Sequence, residues 1–222
     1  MKSIILFLLL FASVMLSADA GLPRVLILGD SVYQPLAQSV AKELRGRVEI
    51  VYATAKPGEA FQTGISRGRL DELLGDGKWD LIHFNFGLGD LLYKAPGITR
   101  IRALPKNAGG VRVTTPAQYE KNLQAIVTRL KASGAKLVWA STTPISGSST
   151  DIFDVDSEIE YNAIAAKVMT KERVPTNDMH AYIMDLRATQ KTKSRSGDPF
   201  SFDKNAPIDP PVVKAILSQL RL

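Results

Sequence analysis

The stretch RVLILGDSVYQ, residues 24–34, decides the fold class. Its apolar run RVLIL is typical of a short strand buried in a parallel sheet, and the run ends at a glycine, an acid and a hydroxyl. Ser31 therefore stands at the corner between a predicted strand and a predicted helix. Two roles suit a serine at such a corner, a reactive nucleophile or the N-cap of the helix.

The rest of the chain alternates predicted strands with predicted helices. The strands are predicted at residues 24–28, 48–52, 79–86, 136–141 and 174–177, and the helices at residues 35–44, 68–76, 116–133, 157–170 and 210–220. The helix at 116–133 has the clearest start signal, because Thr115 precedes Pro116 and Gln118 follows three residues after Thr115. Such alternation predicts an α/β fold, with a parallel sheet covered by helices on both faces.

Three segments lack any periodicity, at residues 93–115, 143–154 and 190–209. The first is rich in proline, glycine and basic residues and is expected to pass over the top of the sheet. Ligands of open α/β sheets bind beyond the carboxyl ends of the strands. We therefore expect the three segments to surround one cleft.

The N-terminus has the features of a secretory signal peptide. Lys2 precedes the apolar core IILFLLLFASVML, and Ala18-Asp19-Ala20 fits a small-x-small cleavage site. Residues 1–20 are thus a predicted signal peptide and residues 21–222 a single exported domain, either periplasmic or extracellular. The alternative is an uncleaved membrane anchor. No later segment is long and apolar enough to span a membrane.

Composition excludes several classes of site. The chain has no cysteine and only two histidines, so thiol catalysis, cysteine metal sites and a histidine-rich metal site are excluded. The net charge is +6, but the basic residues are scattered and no nucleic-acid motif is present. A positive exported protein is expected to associate at most weakly with anionic surfaces or polysaccharides.

The order of several short motifs resembles that of the SGNH hydrolases, also called GDSL esterases. Gly29-Asp30-Ser31 follows the first strand, Gly58 follows the second, NFGLGDL at residues 85–91 ends the third, and Asp198 comes just before the last helix. The resemblance covers essentially all of residues 21–222. It implies a flavodoxin-like α/β/α sandwich with a five-stranded parallel sheet, and a serine esterase that needs neither cofactor nor metal.

The same resemblance implies roles for individual residues. Ser31 would be the nucleophile, with the N–H groups of Ser31 and Gly58 in the oxyanion hole and Asp198 as the acid that orients a histidine base. Two positions depart from the family: Gly89 stands where the family has an asparagine, and Ser201 stands where it has the histidine. Gly89 can offer only its backbone N–H to the oxyanion hole.

Three further residues are expected to support the cleft. Asp30 is the central residue of Gly29-Asp30-Ser31, Ser201 occupies the position of the family's histidine, and Asp90 is expected to anchor the turn by accepting backbone N–H bonds. Removal of a triad base typically lowers the rate by about 10⁴- to 10⁶-fold. The departures at Gly89 and Ser201 therefore predict that the usual machinery is impaired.

The remaining titratable residues offer few replacements for the base. His83 lies inside the third predicted strand and is interpreted as a structural core histidine. His180 follows the fifth predicted strand and is either a surface helix histidine or a relocated base. Asp178 and Asp203 are poor candidates, because a carboxylate near its usual pKa is a weak base toward a serine hydroxyl.

Three hypotheses about function remain open. The favoured one is a catalytically impaired SGNH-like protein that binds a small acylated ligand or glycan in the cleft. The second is an active carboxylic-ester hydrolase with Ser31 as nucleophile and a non-standard base such as His180. The third is a binding protein that acts through its basic surface.

Overall fold

The computed structural model describes residues 21–57, 59–98, 102–145, 151–190 and 207–222. The strands are β1 (Arg24–Leu28), β2 (Glu49–Ala53), β3 (Leu81–Phe84), β4 (Tyr93–Lys94), β5 (Val111–Arg112), β6 (Lys136–Ala140) and β7 (Thr176–Asn177). The α-helices are α1 (Tyr33–Glu43), α2 (Thr63–Gly68), α3 (Leu70–Leu74), α4 (Leu88–Leu91), α5 (Pro116–Lys131), α6 (Ser157–Glu172), α7 (Met179–Gln190) and α8 (Pro210–Leu220). Among the described residues, no helix has the length and apolar character that crossing a bilayer requires.

Five strands form one parallel sheet in the order β2-β1-β3-β6-β7. This confirms the predicted five-stranded parallel sheet, including the short strand β7. Because all five strands run the same way, their carboxyl ends share one edge, which we call the carboxyl edge. Ser31 follows β1 at this edge, with β3 as the neighbouring strand on the side of β6 and β7.

Helices cover both faces of the sheet, so the fold has three layers. Side chains of β1 alternate between the faces: Val25 and Ile27 pack with α1 and α8, whereas Leu26 and Leu28 pack with α3, α5 and α6. Burying a large apolar side chain contributes about 1.5–3 kcal/mol. The two clusters together make the α/β/α sandwich that the sequence predicts.

The start of α5 forms as its sequence predicts. Thr115 is the N-cap, and its Oγ1 accepts a hydrogen bond from the backbone N–H of Gln118 at 3.3 Å. Pro116 occupies the first turn, where no N–H is needed. Local sequence chemistry therefore suffices to fix this boundary.

The segment at residues 93–115 is more ordered than predicted. Strands β4 and β5 pair in antiparallel fashion, and a further bridge joins Lys94 to Ala103. Two-residue strands are too short to produce a recognisable alternation, which is why the sequence pattern did not reveal them. The helix predicted at residues 68–76 is also different, because it is divided between α2 and α3.

Candidate functional site

The Ser31 hydroxyl is not used to cap α1. Asp30 Oδ1 accepts the backbone N–H of Val32 at 2.9 Å, and the N-cap residue Val32 has no side-chain capping bond. Ser31 itself is exposed at the carboxyl edge, directly after Asp30. The N-cap interpretation of Ser31 is therefore wrong, because the neighbouring carboxylate satisfies this turn. The hydroxyl is left available to a ligand.

The turn that carries Ser31 is held from two sides. A side chain at Gly29 would place its Cβ 2.7 Å from Cβ of Tyr33, so only glycine allows this close approach. From β2, the hydroxyl of Tyr52 donates to the carbonyl of Asp30 at 2.7 Å. Burial raises the pKa of the Asp30 carboxyl to about 6, while its bond from Val32 N–H acts in the opposite direction.

The turn after β3 is closely packed at Gly89. A Cβ on Gly89 would lie 2.8 Å from the carbonyl carbon of Phe61 and closer still to its oxygen. The ring of Phe61 stacks on Phe86, with centroids 4.5 Å apart, which fixes this segment against α4. An asparagine side chain cannot enter at position 89 unless the Phe61 backbone moves.

Asn85 cannot provide the missing amide donor. It is buried at the end of β3, and its Nδ2 donates to the carbonyl of Ala140 at 2.8 Å and to Oγ1 of Thr142 at 3.1 Å. Both N–H bonds of the amide are thus in use. This side chain ties β3 to the end of β6.

Asp90 anchors the same turn from inside. Its carboxylate accepts the backbone N–H of Thr63 at 3.1 Å and the hydroxyl of Thr63 at 2.6 Å, and the side chain of Asn122 donates to that hydroxyl. Burial raises the pKa of Asp90 to about 6, although hydrogen bonds from Thr63 and Thr114 counteract this rise. Asp90 therefore joins α4 to the start of α2.

His83 lies in the core beneath the Ser31 turn. It is fully buried, its Nε2 accepts from Nδ2 of Asn177 at 3.1 Å, and its ring centroid is 6.2 Å from that of Tyr33. Burial lowers the pKa of His83 to about 4, so the ring is neutral near neutral pH. Nδ1 carries the proton and has no partner among the described residues.

His180 follows β7, the edge strand that lies farthest from β1 in the sheet. It lies in the first turn of α7, and its Nε2 is 3.2 Å from Oε1 of the buried Glu158 on α6. Its backbone N–H donates to Oγ of Ser141, whose hydroxyl donates to Asp178. The imidazole is thus engaged with α6, and the strand that His180 follows, β7, is separated from β1 by β3 and β6.

No family model matches the sequence, and no match to curated protein sequences is found. Solved structures are similar. A lipase/acylhydrolase from Enterococcus faecalis superposes with a TM-score of 0.64 at 15% identity, covering 90% of this chain and 97% of its own. A GDSL-like lipase from Parabacteroides merdae gives 0.63 at 13% identity, covering 89% and 94%.

An acetylxylan esterase from Geobacillus stearothermophilus gives a TM-score of 0.59 at 15% identity, covering 90% of this chain and 94% of its own. The chain has the SGNH-hydrolase fold. Structures of that esterase include catalytic mutants of an aspartate and of a histidine three residues later. The SGNH fold here has no histidine after His180 with which to form such a pair.

The SGNH fold brings some of the predicted site residues together. Ser31 and Asp30 follow β1, and Gly89 and Asp90 follow the adjacent strand β3, so these four share the carboxyl edge. His180 follows β7 and is separated from β1 by two strands. The predicted residues Gly58, Asp198 and Ser201 lie outside the described residues. No group of three or more metal-ligating side chains forms within the described part of the chain.

Three residues of this SGNH fold support the site but were not predicted from sequence. Tyr52 holds the carbonyl before Ser31, Asn85 ties β3 to β6, and Glu158 binds His180. Tyr52 and Asn85 end apolar runs with a polar group, which is a usable signal for the carboxyl edge. Glu158 has no such signal, because it looks like any acid in the first turn of a helix.

Proposed function

We propose that this chain is an SGNH-hydrolase-like protein with impaired ester hydrolysis that binds a small acylated ligand or glycan beside Ser31. One observation carries the proposal: both histidines of the chain are engaged away from Ser31. His83 is buried against Asn177, and His180 pairs with Glu158. Ser31 therefore has an exposed hydroxyl without an imidazole base.

Strand spacing gives the separation of the two strands that Ser31 and His180 follow. Neighbouring strands lie about 4.8 Å apart, so β1 and β7, three positions apart in the sheet, are separated by about 14 Å. A general base acts within about 3 Å of the proton that it removes. A serine hydrolase without its base loses about 10⁴- to 10⁶-fold in rate.

The acyl-oxygen side of the cleft supports the same conclusion. Gly89 has no side-chain donor, and the Asn85 amide donates both of its N–H bonds within the protein. Loss of one oxyanion donor typically costs about 3 kcal/mol of transition-state stabilisation. The exposed hydroxyl of Ser31 remains at the carboxyl edge, where it is available to a ligand.

The solved structures with the same fold point to the class of ligand. Those with the same fold include an acetylxylan esterase and a lipase/acylhydrolase, whose substrates carry acyl groups. We therefore propose an acetylated oligosaccharide as the first ligand to test.

The test combines hydrolysis with binding. Hydrolysis of p-nitrophenyl acetate is measured for the mature protein and for Ser31→Ala and His180→Ala, and all three are expected to match the buffer rate. Binding of acetylated xylo-oligosaccharides is measured by calorimetry for Ser31→Trp and for the control Ser39→Trp on the exposed part of α1. Only Ser31→Trp should abolish binding, and equal binding by both variants would refute the cleft as the site.

An active hydrolase is the second candidate, and the Glu158–His180 pair favours it. A carboxylate that orients an imidazole is the arrangement that serine hydrolases use to prepare a base. Activity lost in both Ser31→Ala and His180→Ala, with both variants folded at the assay temperature, would establish this candidate. A third candidate, binding through the basic surface alone, requires an affinity that falls with salt and is unaffected by Ser31→Trp.

We also propose that residues 1–20 direct export. The apolar core and Ala18-Asp19-Ala20 support this proposal. The intact mass of the protein recovered from an exporting host should correspond to a chain that begins at Gly21. A mass that includes residues 1–20 would favour an uncleaved anchor instead.

A further inference from the structure

The charge of the chain is unevenly distributed near the site. Residues 91–119 contain five lysines and arginines and no aspartate or glutamate. The described part of this segment includes β4, β5 and the bridge at Ala103, and we call these elements together the basic hairpin. The hairpin therefore concentrates positive charge in one folded unit.

One cation of the basic hairpin has a structural role. The guanidinium of Arg112 forms an ion pair with Asp154 and lies over the rings of Tyr93 and Tyr161, 5.3 Å and 5.8 Å from their centroids. Tyr93 also donates its hydroxyl to Asp154 at 2.7 Å. This cluster fixes the hairpin to the segment before α6, and its charges are balanced.

The cations of the hairpin outnumber the carboxylates that contact it, since Asp154 is already paired and Asp151 accepts from the Asn107 amide at 3.2 Å. Lys106 lies 3.3 Å from the already paired Asp154 and 5.5 Å from the centroid of the Tyr93 ring, and its side chain is 62% exposed. Arg102 is exposed, and neither Arg102 nor Lys94 pairs with a carboxylate among the described residues. Lys94 donates to the backbone carbonyl of Ile98. The two exposed cations, Arg102 and Lys106, are the ones that an anionic partner can reach, and Lys106 would share its charge between that partner and Asp154.

The basic hairpin is attached directly to the candidate site. The backbone N–H of Val113 donates to Leu92 at 2.9 Å, and that of Thr114 donates to Asp90 at 3.1 Å. Asp90 and Gly89 form the turn after β3, the strand next to β1 and Ser31. The basic hairpin is thus joined through its backbone to the turn at the edge that carries Ser31.

We infer that the basic hairpin recognises carboxylate groups on the ligand, so that the preferred ligand is an acidic glycan bearing uronic-acid units. This inference rests on the proposed function, because the glycan backbone would occupy the edge beside Ser31. Exposed lysine and arginine attract carboxylates in a salt-dependent way, and they select an acidic chain over a neutral one. A neutral acetylated oligosaccharide would gain nothing from these cations.

The test compares xylo-oligosaccharides of equal length with and without one glucuronic-acid branch, by calorimetry near neutral pH. The test variant carries Arg102→Ser and Lys106→Gln. The control variant carries Lys42→Gln and Arg45→Ser at the exposed end of α1, which removes the same net charge. The acidic ligand should bind the unaltered protein more tightly, and this advantage should fall by about 1.5- to 5-fold for each cation removed from the hairpin.

The advantage should persist in the control variant and disappear at about 1 M salt, where screening acts within about 3 Å. Equal affinity of the two oligosaccharides, an equal loss in both variants, or stronger competition by a single-stranded oligonucleotide would overturn the inference. If Ser31→Trp still binds the acidic oligosaccharide, the proposed binding site beside Ser31 is refuted, whereas recognition of carboxylates by the basic hairpin is supported. If the protein binds the neutral oligosaccharide as tightly as the acidic one, only the inference about the basic hairpin is refuted.

Discussion

Oε1 of Glu158 lies 3.2 Å from Nε2 of His180, and the Glu158 side chain is 1% exposed. The other carboxylate oxygen, Oε2, has no hydrogen-bond partner among the described residues. The charge of Glu158 also acts on the guanidinium of Arg187, but the imidazole is the hydrogen-bond partner of this buried carboxylate among the described residues. The pair therefore gives His180 a structural role, because its imidazole holds α7 against α6.

His180→Ala should destabilise the protein. The substitution leaves Glu158 buried without its imidazole, and an unsatisfied buried group costs about 1–3 kcal/mol. Urea unfolding measures the loss, and Glu158→Gln in the same chain should recover part of it. If His180→Ala unfolds at the same urea concentration as the unaltered protein, the pair has no structural role.

Gly89→Ala should be destabilising by about 1–3 kcal/mol, because its Cβ meets the backbone of Phe61. Gly68→Ala is the matched control, since a Cβ on that exposed glycine has nothing within 4 Å. Thermal unfolding of the two variants tests this difference. Gly89→Asn should likewise lose stability and gain no esterase activity. A stable Gly89→Asn variant with measurable hydrolysis would contradict the close packing of Gly89 against the Phe61 backbone.

Asp90 should make the protein less stable as the pH rises from about 4 to about 6. Burial raises the pKa of this carboxyl to about 6 in the folded state, whereas the unfolded value is 3.8. The folded state therefore holds the proton more tightly than the unfolded state. The resulting stabilisation is fully present below the unfolded pKa of 3.8 and is lost as the pH rises through the folded pKa of about 6.

Asp90→Asn removes this dependence and keeps an acceptor for Thr63. Relative to the unaltered protein, the variant should gain on the order of 2–3 kcal/mol between acidic and neutral pH. The free energy of unfolding in urea, measured across this range, is the readout. Parallel pH profiles for the two proteins would show that Asp90 is not the group responsible.

His83 should remain neutral down to about pH 4, because burial lowers its pKa to about 4. Since the unfolded pKa is 6.5, the stability from neutral His83 is present above that value and is lost as the pH falls toward 4. Nitrogen NMR of the imidazole should find the proton on Nδ1, with Nε2 accepting from Asn177. An imidazole that titrates near its usual pKa would mean that the ring is solvated.

The sequence predicts the central layer well for a physical reason. The runs that became β1, β3 and β6 are apolar on both faces, which only a sheet covered on both sides requires. The start of α5 was predictable because Thr115 and Pro116 carry their capping chemistry locally. Short elements such as β4 and α4 depend on tertiary contacts, and no local pattern indicates them.

The site was predictable in position but not in detail. Gly-Asp-Ser after a strand located Ser31, and strand order then placed Gly89 and Asp90 at the same edge. The closeness of Phe61 to Gly89, and the choice of Asp30 over Ser31 as the capping side chain, are set by geometry between distant segments. The pairing of Glu158 with His180 joins residues on different helices, so spacing along the chain could not reveal it.

The capping of this turn by Asp30 makes Ser31 an unusually convenient place for a probe. Its hydroxyl is exposed and forms no cap, and the chain contains no cysteine. Ser31→Cys would thus introduce a single thiol into the whole protein, with little expected cost to folding. A fluorophore attached there would report occupancy of the carboxyl edge directly, even for a ligand that is never converted to product.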